Sequence, residues 1–424
     1  MKIIADDKRR RRTVACLAVL VLLLAGVVVN AANELDELYA KKDCFALRDA
    51  SQRRTTVGND SLFFRAVVSN AFNQPQRSLS YLNEYLRLEK QRVSRDRLLD
   101  SYSLLADNYL KTYQYGKAAA VLSRILNELG DTLDAKRRGD YQNSQHLWSA
   151  LSAIQPQSAT FHGNTVLQGN IKAVPFEING ERLSFGLDSG ASLSIIIRSL
   201  AQQLGLRLTG ATIHIGSITG DQVPAELGVA GRIEIGNVTL RNVVFLVFED
   251  KDLLGPSEGE VRGILGYPVI AALREITFQR DGRIIIPQRA RQGGEQNLCM
   301  DGSKPLIAAA HEGTRLVFAF DTGAGHSILY PPFYRRFENE IKSRYAPQSE
   351  KITGVGGSKQ IPAYRIHNFA LLLSGKKAEL PEVPVLTQET LDESKHFYGN
   401  LGNDLVRQFQ SMTINFAAMT VVFK

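Results

Sequence analysis

Cysteine is scarce: positions 16, 44 and 299 hold all three in 424 residues. So few exclude a disulfide-stapled scaffold. They leave Cys44 and Cys299 either free or joined in one bond that an oxidising compartment permits. Histidine is sparse too, seven scattered residues, and no compact Cys/His cluster offers the roughly four ligands of a tetrahedral zinc site. No metal site is expected. The nucleophile-elbow pattern G-x-S-x-G is missing, although Ser192 and Ser194 lie near a glycine. The run GVGGSK at 354–359 is too short for a phosphate-binding loop. Low-complexity and collagen-like tracts are absent. With 44% hydrophobic and 22% charged residues, the chain can build a packed core.

A dense basic footprint is lacking as well. The net charge is +8, and residues 1–12 hold half of it, with six basic against two acidic side chains. The remainder is too dilute for a nucleic-acid surface. An uncharged run, Val14 to Val29, follows those residues and ends in Asn30-Ala31-Ala32-Asn33. Basic start, apolar stretch and small-residue exit read as a Sec-type signal peptide or an uncleaved signal anchor over residues 1–32. Both readings export the rest of the chain. The expected location is the periplasm or beyond it, free or held at the inner membrane facing the periplasm.

Residues 33–155 are predicted to form an all-α region. Leu104, Leu105, Ala106 and Tyr109 are expected on one ridge, and Ala118, Val121, Leu122, Ile125 and Leu126 on a facing one, with a break at Tyr113–Gly116. Ser78, Tyr81, Leu82, Tyr85 and Leu86 repeat the second ridge 40 positions upstream. The pattern resembles a tetratricopeptide helix pair, whose standard period is about 34. A plain helical bundle is the other reading. Such a region offers a surface for a protein partner.

After Pro156 the texture becomes short Val/Ile/Leu runs punctuated by Gly, Asn and Asp, which predicts strands and tight turns. Gly236–Asn237, Asp281–Gly282 and Ser374–Gly375 mark hairpin connections. This part is an internal repeat. Asp188 and Asp321 are 133 positions apart, Val223 and Ile361 are 138 apart, and Gly266 and Gly402 are 136 apart. The expected organisation is a first β lobe at 165–287, a linker at 288–304 and a second lobe at 305–424, packed as pseudo-twofold partners.

Each unit sets an Asp after an apolar strand and follows it with a hydroxyl residue, Gly and Ala: DSGAS at 188–192 and DTGA at 321–324. Gly-containing hairpins and the pair Gly263-Ile264-Leu265-Gly266 and Gly399-Asn400-Leu401-Gly402 recur after them. These elements resemble the retropepsin-like and pepsin-like aspartic proteases over roughly residues 165–424. The resemblance implies a mostly β, two-lobed fold with Asp188 and Asp321 as the catalytic pair. It implies that Ser189, Gly190, Thr322 and Gly323 support the two turns. Flap hairpins are expected at His214–Pro224 and Ile352–Pro362, with Gly216, Gly220, Gly354, Gly356 and Gly357 giving them freedom. The second unit departs at Gly325, where the first has Ser192, and at Asn400, where the first has Ile264.

The chemistry agrees with this reading. Two carboxyl groups sharing one proton can activate a water and polarise a peptide carbonyl without a cofactor, metal or covalent nucleophile. The expected activity is endopeptidase cleavage of extended polypeptides with apolar side chains near the scissile bond. Ala191 and Ala324 carry no hydroxyl to stabilise an ionised carboxylate, so a mildly acidic to neutral optimum is expected. The alternatives are a catalytically inactive peptide-binding or envelope scaffold on the same two-lobed fold, and a tethering module centred on the helical region.

Overall fold

The computed structural model describes residues 34–53, 60–216, 222–253, 261–354, 357–390 and 392–424. The chain divides into two compact units, 1–57 and 58–424. In the first, the helix Cys44–Arg53 opens with the Asp43 side chain accepting from the Ala46 amide at 2.8 Å, a bond that satisfies one of the orphan donors of a helix start. Cys44 is disulfide-bonded.

Among the described residues no helix is long and apolar enough to cross a membrane. The expectation of a membrane anchor is corrected on that finding. A span needs about 20 consecutive apolar residues. The long helix Arg95–Lys111 has 17 residues, several of them charged. The run Val14–Val29, on which the signal reading rests, lies outside the described residues.

The second unit begins with helices at Asp60–Ala71, Pro75–Glu89, Arg95–Lys111, Tyr115–Leu129 and Ala135–Ala150. Pro75–Glu89 and Tyr115–Leu129 are both 15 residues long and start 40 positions apart. The turn before each contains a left-handed residue, Asn73 (φ 55°) and Tyr113 (φ 56°). The 40-residue rhythm thus sets helix starts and turns alike. Ala118, Val121, Leu122 and Ile125 are buried as their spacing requires. On the facing helix the buried stripe is Leu99, Tyr102, Leu105 and Ala106, while Leu104 and Tyr109 are only half-buried. The ridge is rotated because Tyr102 lies fully inside and sends its hydroxyl to Glu128 at 2.9 Å.

The rest is mostly β. Strands run β1 (Ser158–Phe161), β2 (Thr165–Gln168), β3 (Val174–Ile178), β4 (Glu181–Asp188), β5 (Ser194–Ile197), β6 (Arg207–Gly216), β7 (Gln222–Ile235), β8 (Val238–Phe248), β9 (Gly263–Gly266), β10 (Glu275–Gln279) and β11 (Arg283–Ile286). They continue with β12 (Leu298–Asp301), β13 (Lys304–His311), β14 (Thr314–Phe320), β15 (Ile328–Leu329), β16 (Gln348–Gly354), β17 (Gly357–Leu373), β18 (Lys376–Leu386), β19 (Gly399–Leu401), β20 (Ser411–Asn415) and β21 (Thr420–Phe423). One eight-stranded sheet is ordered β1-β8-β5-β9-β4-β3-β7-β6, and another β12-β13-β14-β19-β15-β18-β17-β16. A five-stranded sheet, β2-β11-β10-β20-β21, joins strands from both ends of this region. Its central pair, β10 with β20, runs from Glu275↔Asn415 to Gln279↔Ser411.

Corresponding pairings recur in the two larger sheets. The strand leading into Asp188 lies parallel to β9, with Gly186 opposite Ile264. The strand leading into Asp321 lies parallel to β19, with Ala319 opposite Asn400. β5 and β15 then run antiparallel to β9 and β19 respectively. The helices pack on the first sheet through a core in which Tyr115, Leu147 and Leu151 meet Leu193, Leu227 and Phe248. The segment expected to be a linker, 288–304, contains β12, whose Leu298, Cys299 and Met300 are buried. β12 forms a hairpin with β13 through Gly302 (φ 59°). Cys299 is disulfide-bonded.

Candidate active site

Asp188 ends β4, whose Phe185 and Leu187 are buried, and Asp321 follows β14, which is buried from Leu316 to Phe320. Each then folds back on its own turn. Asp188 Oδ1 accepts from Gly190 N at 2.8 Å and Ala191 N at 3.0 Å. Asp321 Oδ1 accepts from Gly323 N at 2.8 Å and Ala324 N at 3.1 Å. Two N–H donors hold Oδ1 of each carboxyl and leave Oδ2 outside the turn's own bonds.

The turns lock together across 133 residues. Ser189 Oγ donates to the Phe320 carbonyl at 2.8 Å and accepts from Thr322 N at 3.1 Å. Thr322 Oγ1 donates to the Leu187 carbonyl at 2.7 Å and accepts from Ser189 N at 3.0 Å. Both side chains are buried, so each bond also satisfies a group that water cannot reach. Gly190 and Gly323 are required by approach. A Cβ on Gly190 would stand 2.7 Å from the Asp321 carboxyl, and one on Gly323 would overlap that of Asp188.

Each carboxyl lies against the glycine of the opposing turn, that of Asp321 beside Gly190 and that of Asp188 beside Gly323. Burial, then the neighbouring Asp321 carboxyl, push the Asp188 carboxyl up to about 7, against the pull of the Gly190 and Ala191 amides. Burial and the Asp321 charge also raise the phenol of Tyr330.

One asymmetry breaks the pair. Asn400 Nδ2 donates to Asp321 Oδ2 at 3.2 Å, while Ile264, at the corresponding strand position, has no donor. The hydroxyl missing from Ala324 is therefore replaced from another strand. In the sequence Asn400 is only a departure from Ile264; its place opposite Ala319, two residues before Asp321, is set by strand pairing.

Further supports were missed. Ser194 Oγ accepts from Gly266 N at 3.0 Å, and Ser327 Oγ accepts from Gly402 N at 3.0 Å. Both serines stand six residues after their Asp, a spacing visible in the sequence. Asn403 Nδ2 donates to the Thr322 carbonyl at 2.6 Å. Of the flap glycines, Gly216 pairs with Gln222 at the end of the β6–β7 hairpin, and Gly354 pairs with Gly357 at the end of β16–β17. Gly220 and Gly356 lie outside the described residues. Asn143, on the helix Ala135–Ala150, donates to the His214 carbonyl at 2.8 Å and accepts from His214 N at 3.3 Å, so it braces the first hairpin.

Beside Asp188 lies a cavity of about 880 Å3 that also reaches Thr322 and Gly323 of the opposing turn. Its wall includes Phe185, Leu187 and Ile264, and Lys172, Arg182 and Arg262 stand around it.

Residues 174–269 match a family model described as aspartyl protease. The match takes in Asp188, the β6–β7 hairpin and β9, covers under a quarter of the chain and ends before Asp321. Over that segment the chain is similar to aspartyl proteases, which supports a distant relationship to that superfamily. No curated protein matches the chain.

Proposed function

We propose that the protein is an aspartic endopeptidase that hydrolyses peptide bonds in extended polypeptide segments. The observation that carries this reading is the pair of interlocked Asp turns, which sets the carboxyl of each Asp against the glycine of the other turn. The repeated strand pairing supports treating 165–287 and 305–424 as two pseudo-twofold lobes, with the site at their junction.

In the proposed cycle one water sits between the carboxyls. Asn400 donates to Asp321 alone, and the cycle assigns Asp321 the part of base and Asp188 the part of acid. Asp321 takes a proton from the water as its oxygen attacks the peptide carbonyl carbon. Asp188 gives its hydrogen to the carbonyl oxygen, and a tetrahedral species forms. The C–N bond then breaks as the leaving nitrogen receives the proton held by Asp321 and Asp188 takes back a proton from one hydroxyl of the tetrahedral carbon, which releases a carboxylic acid and an amine and restores the starting pair. The hairpins tipped by Gly216 and by Gly354 and Gly357 would flank a bound strand and pair with its backbone. An exported location accords with the disulfide state of Cys44 and Cys299.

Asp188→Asn and Asp321→Asn test the mechanism. Each should abolish peptide cleavage with the fold retained, because Asn preserves volume but supplies neither an exchangeable acid proton nor a base. Cleavage assays across pH, with melting curves alongside, check this. Cleavage surviving in either variant would refute the paired-acid mechanism.

A further inference from the structure

We propose that the cavity beside Asp188 is a side-chain subsite that selects an acidic residue immediately flanking the scissile bond. The inference rests on the endopeptidase reading and names the substrate class of its site. The cavity holds Asp188 itself together with Gly323 of the opposing turn, so a side chain entering it belongs to a residue next to the reacting carbonyl. Its wall is apolar, with Phe185 and Leu187 buried. Its rim is cationic. Lys172 precedes β3, Arg182 lies near the start of β4, and Arg262 directly precedes β9.

All three cations are exposed, and among the described residues none of them forms an ion pair. Two nearby carboxylates are committed elsewhere. Glu226 and Glu249 both bind Arg198, at 2.9 and 2.5 Å. Glu177 stands opposite Arg182 in the strand pair, and Arg262 attracts Asp250 from a distance. Asp188 is the single acidic group lining the cavity among the described residues. Three cations with no ion-pair partner among the described residues focus a positive field into the space beside this apolar wall. A glutamate fits that combination: its methylenes lie on the wall and its carboxylate reaches the rim.

The two halves of the repeat differ in one of these cations: Arg182 has a counterpart in Arg315, six residues before Asp321, but Arg262 has none, and this makes the selection one-sided. Arg262 precedes Gly263, and the residue preceding Gly399 is the uncharged Tyr398. Only one of the two positions flanking the bond should therefore prefer an acid.

Peptides carrying Glu, Gln or Lys at either flanking position, cleaved by the full chain at about pH 6, where Glu is ionised, test this. At one position Glu should exceed Gln by about tenfold in kcat/KM, mostly through KM. The preference should shrink in about 0.5 M salt. A doubly reversed variant, Arg182→Glu with Arg262→Glu, should prefer Lys, while Arg262→Lys should keep the wild-type order. Equal cleavage of Glu and Gln peptides at both positions would overturn the subsite and leave the endopeptidase reading intact. If no peptide is cleaved, that reading fails, and binding of the same labelled peptides decides the subsite. Tighter binding of the Glu peptide, lost on charge reversal, supports it; equal binding overturns it.

Discussion

Asp321 differs from Asp188 by one donor. Asn400 reaches its Oδ2, and the other amide atom, Oδ1, is buried with no partner. A buried unpaired acceptor is costly, on the order of 1–3 kcal/mol, so replacing Asn400 by Ile should not destabilise the fold. It should instead remove the donor that sets Asp321 apart from Asp188. For Asn400→Ile we expect the pH–rate profile to drop, kcat falling by about tenfold with KM little changed. A superimposable profile would remove Asn400 from the mechanism. At this scale the sequence was informative wherever a local pattern was duplicated. Ser189 and Thr322 were visible because they repeat beside their Asp. Asn400 and Lys172 were not, because a hydrogen bond between β19 and the end of β14, or a cation beside a distant carboxyl, has no local signature.

β6 is an edge strand, and edge strands need cover. The helix Ala135–Ala150 provides it through Asn143, whose amide bonds both backbone groups of His214. Asn143→Ala should cost about 1 kcal/mol at most, since the site is exposed. It should speed amide exchange at His214 and raise KM a few-fold while sparing kcat. Unchanged exchange at His214 would show that the brace carries no load. Hairpins were legible at this scale because their turns are chemically explicit. Ser374 and Gly375 both adopt positive φ, and Gly236 and Gly282 do so at the other two predicted turns. β12 was hidden because three buried apolar residues sit in a polar stretch, and only pairing with β13 makes them a strand.

For the molecule as a whole, the raised Asp188 carboxyl ties stability to pH. It titrates at about 7 in the folded protein, against about 4 in an unfolded chain. Between those values the folded form holds a proton that the unfolded form releases. The contribution is therefore full below about pH 4 and is lost as pH rises through about 7. Wild type should melt at lower temperature at about pH 8 than at about pH 5, and Asp188→Asn should flatten that difference and be the more stable at the higher pH. Parallel melting curves for the two proteins would contradict the assignment. By itself, the sequence determined the helical and β halves, the 40-residue helical rhythm and the two Asp turns, because periodicity, turn chemistry and duplication are written locally. Tertiary structure alone decided that the hydroxyls of Ser189 and Thr322 cross-link those turns, that Asn400 singles out Asp321, and that three cations line one cavity with Asp188. Each of these depends on contacts between strands far apart in the chain, whose geometry only packing sets.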